Sequence, residues 1–140
     1  MTAEQEFTPT PFPLALLICG SAITEAGTNK KTLVGIFDRV WAKQFPVNQT
    51  MTIYARLTDA QGRYEFRIDY VQVKTDKKLA EGKISEVDIA DRLQTSDILM
   101  TPPPVLIPEP GQYEFRLWAN DRYVGRVKFT AELAKEGSQS

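Results

Sequence analysis

The chain has 140 residues, with 17 basic and 18 acidic side chains and a net charge of −1. This length fits a single domain with an ordinary hydrophobic core, and the balanced charge offers no basic surface for nucleic acid or an anionic membrane. There is no histidine, which removes Ser-His and Cys-His catalytic pairs and His-ligated zinc. We therefore expect a non-enzymatic protein without a metal or cofactor.

The two ends of the chain differ in composition from its middle. Residues 1–12 are polar and contain prolines, so they are predicted to form a flexible N-terminal arm, and residues 134–140 a disordered tail. Residues 13–133 are predicted to form one domain. No basic stretch of a signal peptide precedes the first apolar run, and that run is too short to span a bilayer. We expect a cytoplasmic protein.

Short segments rich in Val, Ile, Tyr, Phe and Thr recur about every ten residues between turn signals, which is typical of β-strands. The predicted strands are 13–23, 32–42, 51–58, 64–74, 79–87, 105–107, 113–119 and 122–130. Residues 85–94 come nearest to a helical pattern, enough for one or two turns. Eight strands joined mostly by hairpins predict an all-β fold, an antiparallel β-sandwich with Ig-like or C2-like architecture.

The first apolar run contains the single cysteine, Cys19. One cysteine cannot form an internal disulfide, and no basic neighbour is present to lower the pKa of its thiol. We predict that Cys19 is a buried structural thiol.

The hexapeptide G-x-Y-E-F-R occurs at residues 62–67 and again at 111–116. Strand alternation predicts that both copies direct Tyr and Phe into the core and Glu and Arg outward. The first copy is predicted to form a hairpin with residues 51–58 through a loop at 59–62. Leu57 would then lie opposite Tyr64 and Arg56 opposite Glu65, with a positive φ at Gly62.

The last hairpin is predicted to have a three-residue loop at 119–121, or another loop of odd length. A two-residue loop would place Phe115 and Arg126 on the same face, because a one-residue slip reverses every side chain. The predicted register puts Phe115 opposite Gly125. Asn120 or Asp121 should adopt a left-handed conformation.

The outer face of this hairpin is the candidate interaction surface, with residues Trp118, Arg116, Arg122 and Arg126. Tryptophan and arginine are enriched at protein interfaces, and an exposed indole also stacks on bases or sugars. The alternative is a tryptophan covered by neighbouring side chains, with arginine stems packed over it.

Two further segments have a functional and a structural interpretation. Four acids, Glu86, Asp88, Asp91 and Asp97, fall in a predicted loop, but their spacing matches no calcium-binding loop, so we favour a solvated, helix-capping role. Residues 101–111 are rich in proline, and we interpret them as an edge strand bounded by prolines in preference to a polyproline ligand.

An L-x-G-I-F-D motif followed by F-P appears in the second predicted strand and just after it, at Leu33, Gly35, Ile36, Phe37, Asp38, Phe45 and Pro46. With the two Tyr-Glu-Phe strands, this pattern resembles a functionally uncharacterised family of short bacterial proteins over residues 13–130. The resemblance implies a bacterial source and a single sandwich-like domain, and it supplies no site residues. Asp38 is either a site carboxylate or a strand-end residue that accepts backbone hydrogen bonds, and we favour the second.

The leading functional hypothesis is a non-enzymatic binding or assembly module that meets a protein, itself or another, through a sheet face or an edge strand. This hypothesis includes a homodimer and excludes nucleic-acid and membrane partners. A sandwich that binds a small sugar or lipid is the alternative, and it requires a cavity of several hundred Å³. A carboxylate-based enzyme would need two acids about 5–10 Å apart in a cleft, for which only Asp38 and the acids of 86–97 qualify.

Overall fold

The computed structural model describes residues 8–135, which contain eleven strands and no helix. The strands are β1 Phe12–Thr24, β2 Lys31–Ile36, β3 Arg39–Ala42, β4 Val47–Gln49, β5 Thr52–Thr58, β6 Gly62–Gln72, β7 Lys77–Ile89, β8 Ser96–Met100, β9 Val105–Ile107, β10 Gly111–Ala119 and β11 Arg122–Leu133. The predicted all-β sandwich is confirmed, with more strands than the eight predicted. Strands β4 and β8 were missed.

Two sheets face each other across the core. The first sheet has the strand order β2-β1-β5-β8, the second has the order β3-β11-β10-β6-β7, and β4 and β9 form a separate pair. Neighbouring strands are antiparallel except β3 and β11, which run parallel. Strand β7 ends one sheet and β8 ends the other. The two strands lie on the same side of the sandwich, since a Cβ at Gly82 of β7 would stand 3.7 Å from Met100 Sδ of β8.

The core is built around stacked aromatic rings that the two G-x-Y-E-F-R copies supply. Tyr64, Phe66, Tyr113 and Phe115 are all buried, so the prediction that both copies direct their rings inward is confirmed. Phe129 of β11 completes the stack, with its ring centroid 5.4 Å from that of Tyr113. Large apolar rings in contact bury much area and fix the distance between the sheets.

The predicted strand 32–42 is wrong, because the chain changes sheets inside it. Gly35 has a φ of +68°, a conformation that residues with side chains rarely adopt, and the strand ends one residue later. The Phe37 backbone N–H then donates to Ile18 O at 3.0 Å, and Asp38 O accepts from Thr130 N at 2.9 Å. Residues 32–42 are therefore apolar at both odd and even positions because the chain crosses between sheets there, and not because one strand is buried on both faces.

The predicted hairpin of residues 51–58 with 64–74 is also wrong. Strand β5 pairs with β1 and β8, whereas β6 pairs with β10 and β7. Leu57 and Tyr64 both point into the core, as predicted, but they belong to different sheets. Gly62 has the predicted positive φ, at +121°. Two strands show the same alternation of apolar and polar residues whether they pair in one sheet or face each other across the core, so the alternation does not predict pairing.

In the last hairpin the side chains lie on the predicted faces of the sheet, but the turn differs from the predicted one. Asn120 and Asp121 form a two-residue turn with φ values of 48° and 63°, the pattern of a type I′ turn. The extra residue that the prediction placed in the loop lies instead in a bulge of β11, since Trp118 pairs with Tyr123 whereas Leu117 pairs with Gly125. Phe115 therefore lies opposite Val127, where Gly125 was predicted, and remains on the face opposite to Arg126.

The helical turns predicted within 85–94 are absent from the structure, since β7 continues to Ile89. A tight turn follows, in which Asp91 Oδ1 accepts from the Leu93 backbone N–H at 2.9 Å. An aspartate that bonds backbone two residues ahead stabilises a turn as well as it caps a helix. The predicted short strand at 105–107 is present and pairs with β4.

The arm predicted at 1–12 and the tail predicted at 134–140 lie mostly outside the described residues. Of the arm, Thr8 is buried, and Tyr64 Oη donates to Pro9 O at 2.7 Å. Arg122 Nη1 donates to Thr8 O at 2.9 Å. Residues 8–11 therefore lie against the ends of β6 and β11, and β1 begins at Phe12.

The ion pair of Arg56 with Asp97 predicts how stability depends on pH. Arg56 Nε donates to Asp97 Oδ1 at 2.8 Å, and this bond, with a second from Tyr54, holds the pKa of Asp97 below its usual value. A lowered pKa in the folded state stabilises the fold above the unfolded-state value of about 3.9, and the contribution disappears as pH falls through the folded value.

We expect Asp97→Asn to unfold at lower urea concentration than wild type at neutral pH, and the difference to shrink below about pH 4. Urea denaturation across the acidic range measures both. Asp88→Asn is the control, because the Asp88 and Arg63 side chains are 66% and 65% exposed and such pairs contribute little. Parallel profiles for wild type and Asp97→Asn would contradict the assignment.

Candidate functional site

Trp118, the centre of the predicted interaction surface, lies on the outer face of the second sheet and is half-buried. The Arg67 guanidinium lies 4.9 Å from the centroid of its ring. Tyr123 contacts the indole edge-on, with the centroids 5.4 Å apart. Trp118 is thus partly covered by side chains of its own sheet, as expected for a tryptophan with a structural role.

Arg116 and Arg126 share this outer face and are held within the chain by Glu114. Arg116 Nε lies 2.6 Å from one carboxylate oxygen, and Arg126 Nη1 lies 3.7 Å from the other. The Glu114 side chain is only 2% exposed, although it is on an outer face. Asp76 adds a second contact to Arg116, at 2.7 Å. An acidic partner would have to displace these carboxylates.

Arg122 does not share the outer face, contrary to the prediction. It pairs with Ala119 across the turn, and directly paired residues project to the same side. Its guanidinium therefore reaches Thr8 O at the end of the sandwich. The two-residue turn places Tyr123 beside Trp118 in the position assigned to Arg122. The four predicted residues do not form one patch.

The acids considered for calcium binding or catalysis, and expected to be solvated, are dispersed. Asp88 and Asp97 each bond an arginine, Asp91 caps a turn, and Glu86 lies in a bulge of β7 with a φ of 59°. Asp38 is exposed at the crossover between sheets. Within residues 8–135, no three His, Cys, Asp or Glu side chains come close enough together to hold a metal ion.

Cys19 is fully buried, as predicted. Its thiol donates to Thr52 O, with Sγ and the oxygen 3.7 Å apart. Burial raises the pKa of the Cys19 thiol, which keeps the sulfur protonated and unreactive.

A cleft of about 490 Å³ opens between β7 and the segment that follows β8. Its floor is formed by core side chains of the second sheet, Ile68, Tyr70 and Phe115. One wall is β7 from Leu79 to Lys83, and the other includes Met100 and the prolines at 102–104. The walls are mostly apolar, and Glu81 and Lys83 also contribute to the lining.

The cleft exists because the end strands of the two sheets do not close on each other. Ala80 carries only a methyl group and Gly82 has no side chain. A Cβ added at Gly82 would already be in van der Waals contact with Ile68 Cγ2 at 3.4 Å and Met100 Sδ at 3.7 Å, so a larger residue there would narrow the cleft. The three prolines opposite have no N–H to donate to the edge of β7. Space remains between the walls, and the edge of β7 stays unpaired among the described strands.

Tyr70 ties the floor of the cleft to its wall. Its hydroxyl donates to Leu106 O at 2.9 Å, and burial, reinforced by Tyr113, raises the pKa of Tyr70 far above its ordinary value. Tyr70 therefore remains a neutral donor at every physiological pH. The bond holds β9, and with it the proline segment, against the second sheet.

The free edge of β7 is straight only in its middle. Its pairing with β6 shifts register between Tyr64 and Phe66 and again between Tyr70 and Val71. Between these bulges, residues 80–84 pair in unbroken register with β6. The bulged ends twist away from a partner strand, so five residues of β7 can accept another strand beside the cleft.

The cleft was missed because its walls come from residues distant in sequence. The available signals were the run of three prolines and the small residues at 80 and 82 in an otherwise regular strand. The residues of the L-x-G-I-F-D motif lie at the crossover from β2 to β3, away from the cleft. They build the fold and place no reactive group.

A family model described as a family of unknown function, DUF6941, matches residues 14–132. The chain belongs to this family. None of the curated proteins matches the chain. The described residues of this DUF6941 protein include no helix able to cross a membrane.

Two solved structures are similar to this chain at low identity. An immunoglobulin-like protein from Pseudomonas aeruginosa is 10% identical, with a TM-score of 0.40 over 90% of this chain and 99% of that one. The alkylpurine DNA glycosylase AlkC from Pseudomonas fluorescens, bound to DNA containing an abasic site analog, is 13% identical, with a TM-score of 0.41. That match covers 68% of this chain, which spans only 27% of the glycosylase.

The bond from Tyr70 to Leu106 predicts the effect of removing one hydroxyl. We expect Tyr70→Phe to keep the fold and to lower the free energy of unfolding by about 1 kcal/mol, the usual contribution of such a bond. Amide hydrogen exchange should accelerate at 105–107, where β9 loses its tie. Tyr123→Phe, at a ring that is 48% exposed, is the control. Unchanged exchange in β9 would contradict the role given to Tyr70.

Proposed function

We propose that this protein is a non-enzymatic binding module that adds an extended segment of a partner protein to the free edge of β7. The apolar side chains of that segment would enter the adjacent cleft. One observation carries the proposal: an apolar cleft of about 490 Å³ runs beside the edge of β7. Strand addition uses both features, because main-chain hydrogen bonds supply affinity and pockets for alternate side chains supply specificity.

The chemistry of β7 supports an extended partner. On its inward face, Ala80 and Gly82 leave room, so every second side chain of an added strand would lie over the cleft. Each Val- or Leu-sized side chain that becomes buried contributes roughly 1.5–3 kcal/mol. On the outward face, Glu81 and Lys83 offer one charge of each sign, which selects the register of the added strand.

The surface around Trp118 is less suited to this role. Its indole lies under Arg67, and Arg116 and Arg126 are bonded to the buried Glu114. A partner there would have to break contacts that the chain already makes. The lack of histidine and the dispersed, largely ion-paired acids support a function without catalysis.

A second function has support from the same cleft. Its volume lies within the range of about 300–1,000 Å³ that is usual for small-molecule sites, and its mostly apolar lining suits a lipid acyl chain. The lining offers few polar groups that could fix the hydroxyls of a sugar. An acyl chain has no backbone to pair with β7, so this function would not depend on the edge of the strand.

Selection of short random peptides by phage display on the immobilised protein tests the proposal. We expect the selected peptides to alternate apolar and polar residues. We also expect them to bind Gly82→Leu at least about tenfold more weakly, because the leucine side chain would fill the cleft. Leu93→Ser is the matched control, since Leu93 is 86% exposed and lies outside the cleft.

A second variant, Ala80→Leu, protects the test if Gly82→Leu unfolds, and thermal melting reports the folding of each variant. Selected peptides that bind all variants equally would contradict the proposal. The small-molecule function is tested separately with a fluorescent fatty acid. If it binds wild type but not Gly82→Leu, and no peptide depends on Gly82, the second function replaces the first.

A further inference from the structure

The partner strand can be specified from β7 itself, provided that strand addition at this edge is the function. Residues 80–84, Ala-Glu-Gly-Lys-Ile, are the only part of the described β7 that pairs without a bulge over five residues. Gly82 is the midpoint of this stretch, with one charged residue on either side. The stretch therefore has opposite charges placed symmetrically about its centre.

We propose that the partner is a second copy of this chain, whose β7 adds antiparallel to the first about a two-fold axis at Gly82. In this register Glu81 of each copy lies opposite Lys83 of the other, which gives two opposite-charge pairs on the outer face. Ala80 lies opposite Ile84 on the side of the cleft. The charge pattern of residues 80–84 is thus complementary to itself.

Other registers of the same strand are disfavoured by charge repulsion or by placing a charge over the cleft. Moving the axis to Glu81 or to Lys83 places that residue opposite its own copy, and like charges directly opposite repel. Moving the axis between two residues puts a charged side chain on the cleft side, because a one-residue slip exchanges the faces. The arrangement centred on Gly82 avoids both costs.

Residues 80–84 lack two of the features that block edge pairing, proline and inward-pointing charge. They contain no proline, and their inward-facing residues, Ala80, Gly82 and Ile84, carry no charge. The bulges on either side confine pairing to these five residues. In the dimer the second sheets of the two copies would become one continuous sheet, and the two apolar clefts would meet across the axis and cover each other.

The existing contacts of the two charged residues do not oppose this pairing. Within one chain Glu81 lies 2.6 Å from Lys78, and Lys83 lies 3.8 Å from Glu81 and 4.0 Å from Glu65. The Glu81 and Lys83 side chains are 35% and 51% exposed. Ion pairs near the surface contribute little to stability, so exchanging these contacts for a partner strand would cost little.

Sedimentation velocity on charge-reversal variants tests the inference. Wild type should form a dimer that dissociates on dilution. Glu81→Lys and Lys83→Glu should each weaken it about tenfold or more, because each sets like charges opposite each other twice. A mixture of the two single variants should form a heterodimer, and the double variant should dimerise like wild type, since opposite charges face each other in both.

Glu25→Lys and Lys43→Glu carry the same changes in net charge at exposed positions away from β7 and should dimerise like wild type. Thermal melting confirms that each variant folds. A monomeric wild type, single variants that dimerise normally, or a mixture that stays monomeric would each overturn the second copy as the partner. If selected peptides bind wild type but not Gly82→Leu, strand addition at β7 remains supported even when wild type is a monomer. The two proposals can therefore fail separately.

Discussion

The stacking of Tyr70 on Phe115, with ring centroids 5.1 Å apart, joins the core of the sandwich to the wall of its cleft. Tyr70 also stacks on Tyr113 and Phe129, at 5.7 and 6.3 Å, so it belongs to the aromatic layer that separates the sheets. Its hydroxyl reaches Leu106 O on the far wall. Because the same side chain packs the core and ties β9, the cleft is a rigid part of the fold. A rigid cleft loses little entropy when it receives the side chains of a partner.

The sequence predicted the faces of the strands better than their neighbours. Alternation with a period of two assigns residues to the inside or the outside, and it did so correctly for Leu57 and Tyr64. It does not distinguish strands that pair from strands that face each other across a core, and the predicted hairpin between β5 and β6 failed for this reason. In the last hairpin a bulge in β11 supplies the extra residue, and it places the side chains on the same faces as a three-residue loop would. The face on which a side chain lies follows from its neighbours in sequence, whereas strand pairing depends on contacts between residues far apart in sequence.

The candidate site was also predicted only in part, because its surroundings depend on contacts between residues far apart in sequence. Trp118 drew attention because tryptophan and arginine are common at interfaces, but its surroundings are set by Arg67 and Glu114, which composition cannot place. The cleft could not be predicted, because it joins β7 to a segment about twenty residues later in the chain. The prolines at 102–104 and the small residues of β7 acquire their meaning only when they face each other. The L-x-G-I-F-D motif marks a crossover, where Gly35 supplies a backbone conformation, and that role could have been suspected from a glycine inside a strand.

Photo-cross-linking in the native cell tests most directly whether the edge of β7 and its cleft form the binding surface. A photoreactive phenylalanine analogue would replace Leu106 at the rim of the cleft or Tyr123 beside Trp118, which are 50% and 48% exposed and so equally accessible. We expect a discrete cross-linked species from position 106, either a dimer of this chain or a complex with another protein, and none from position 123. Cross-linking from position 123 alone would contradict this assignment of the binding surface.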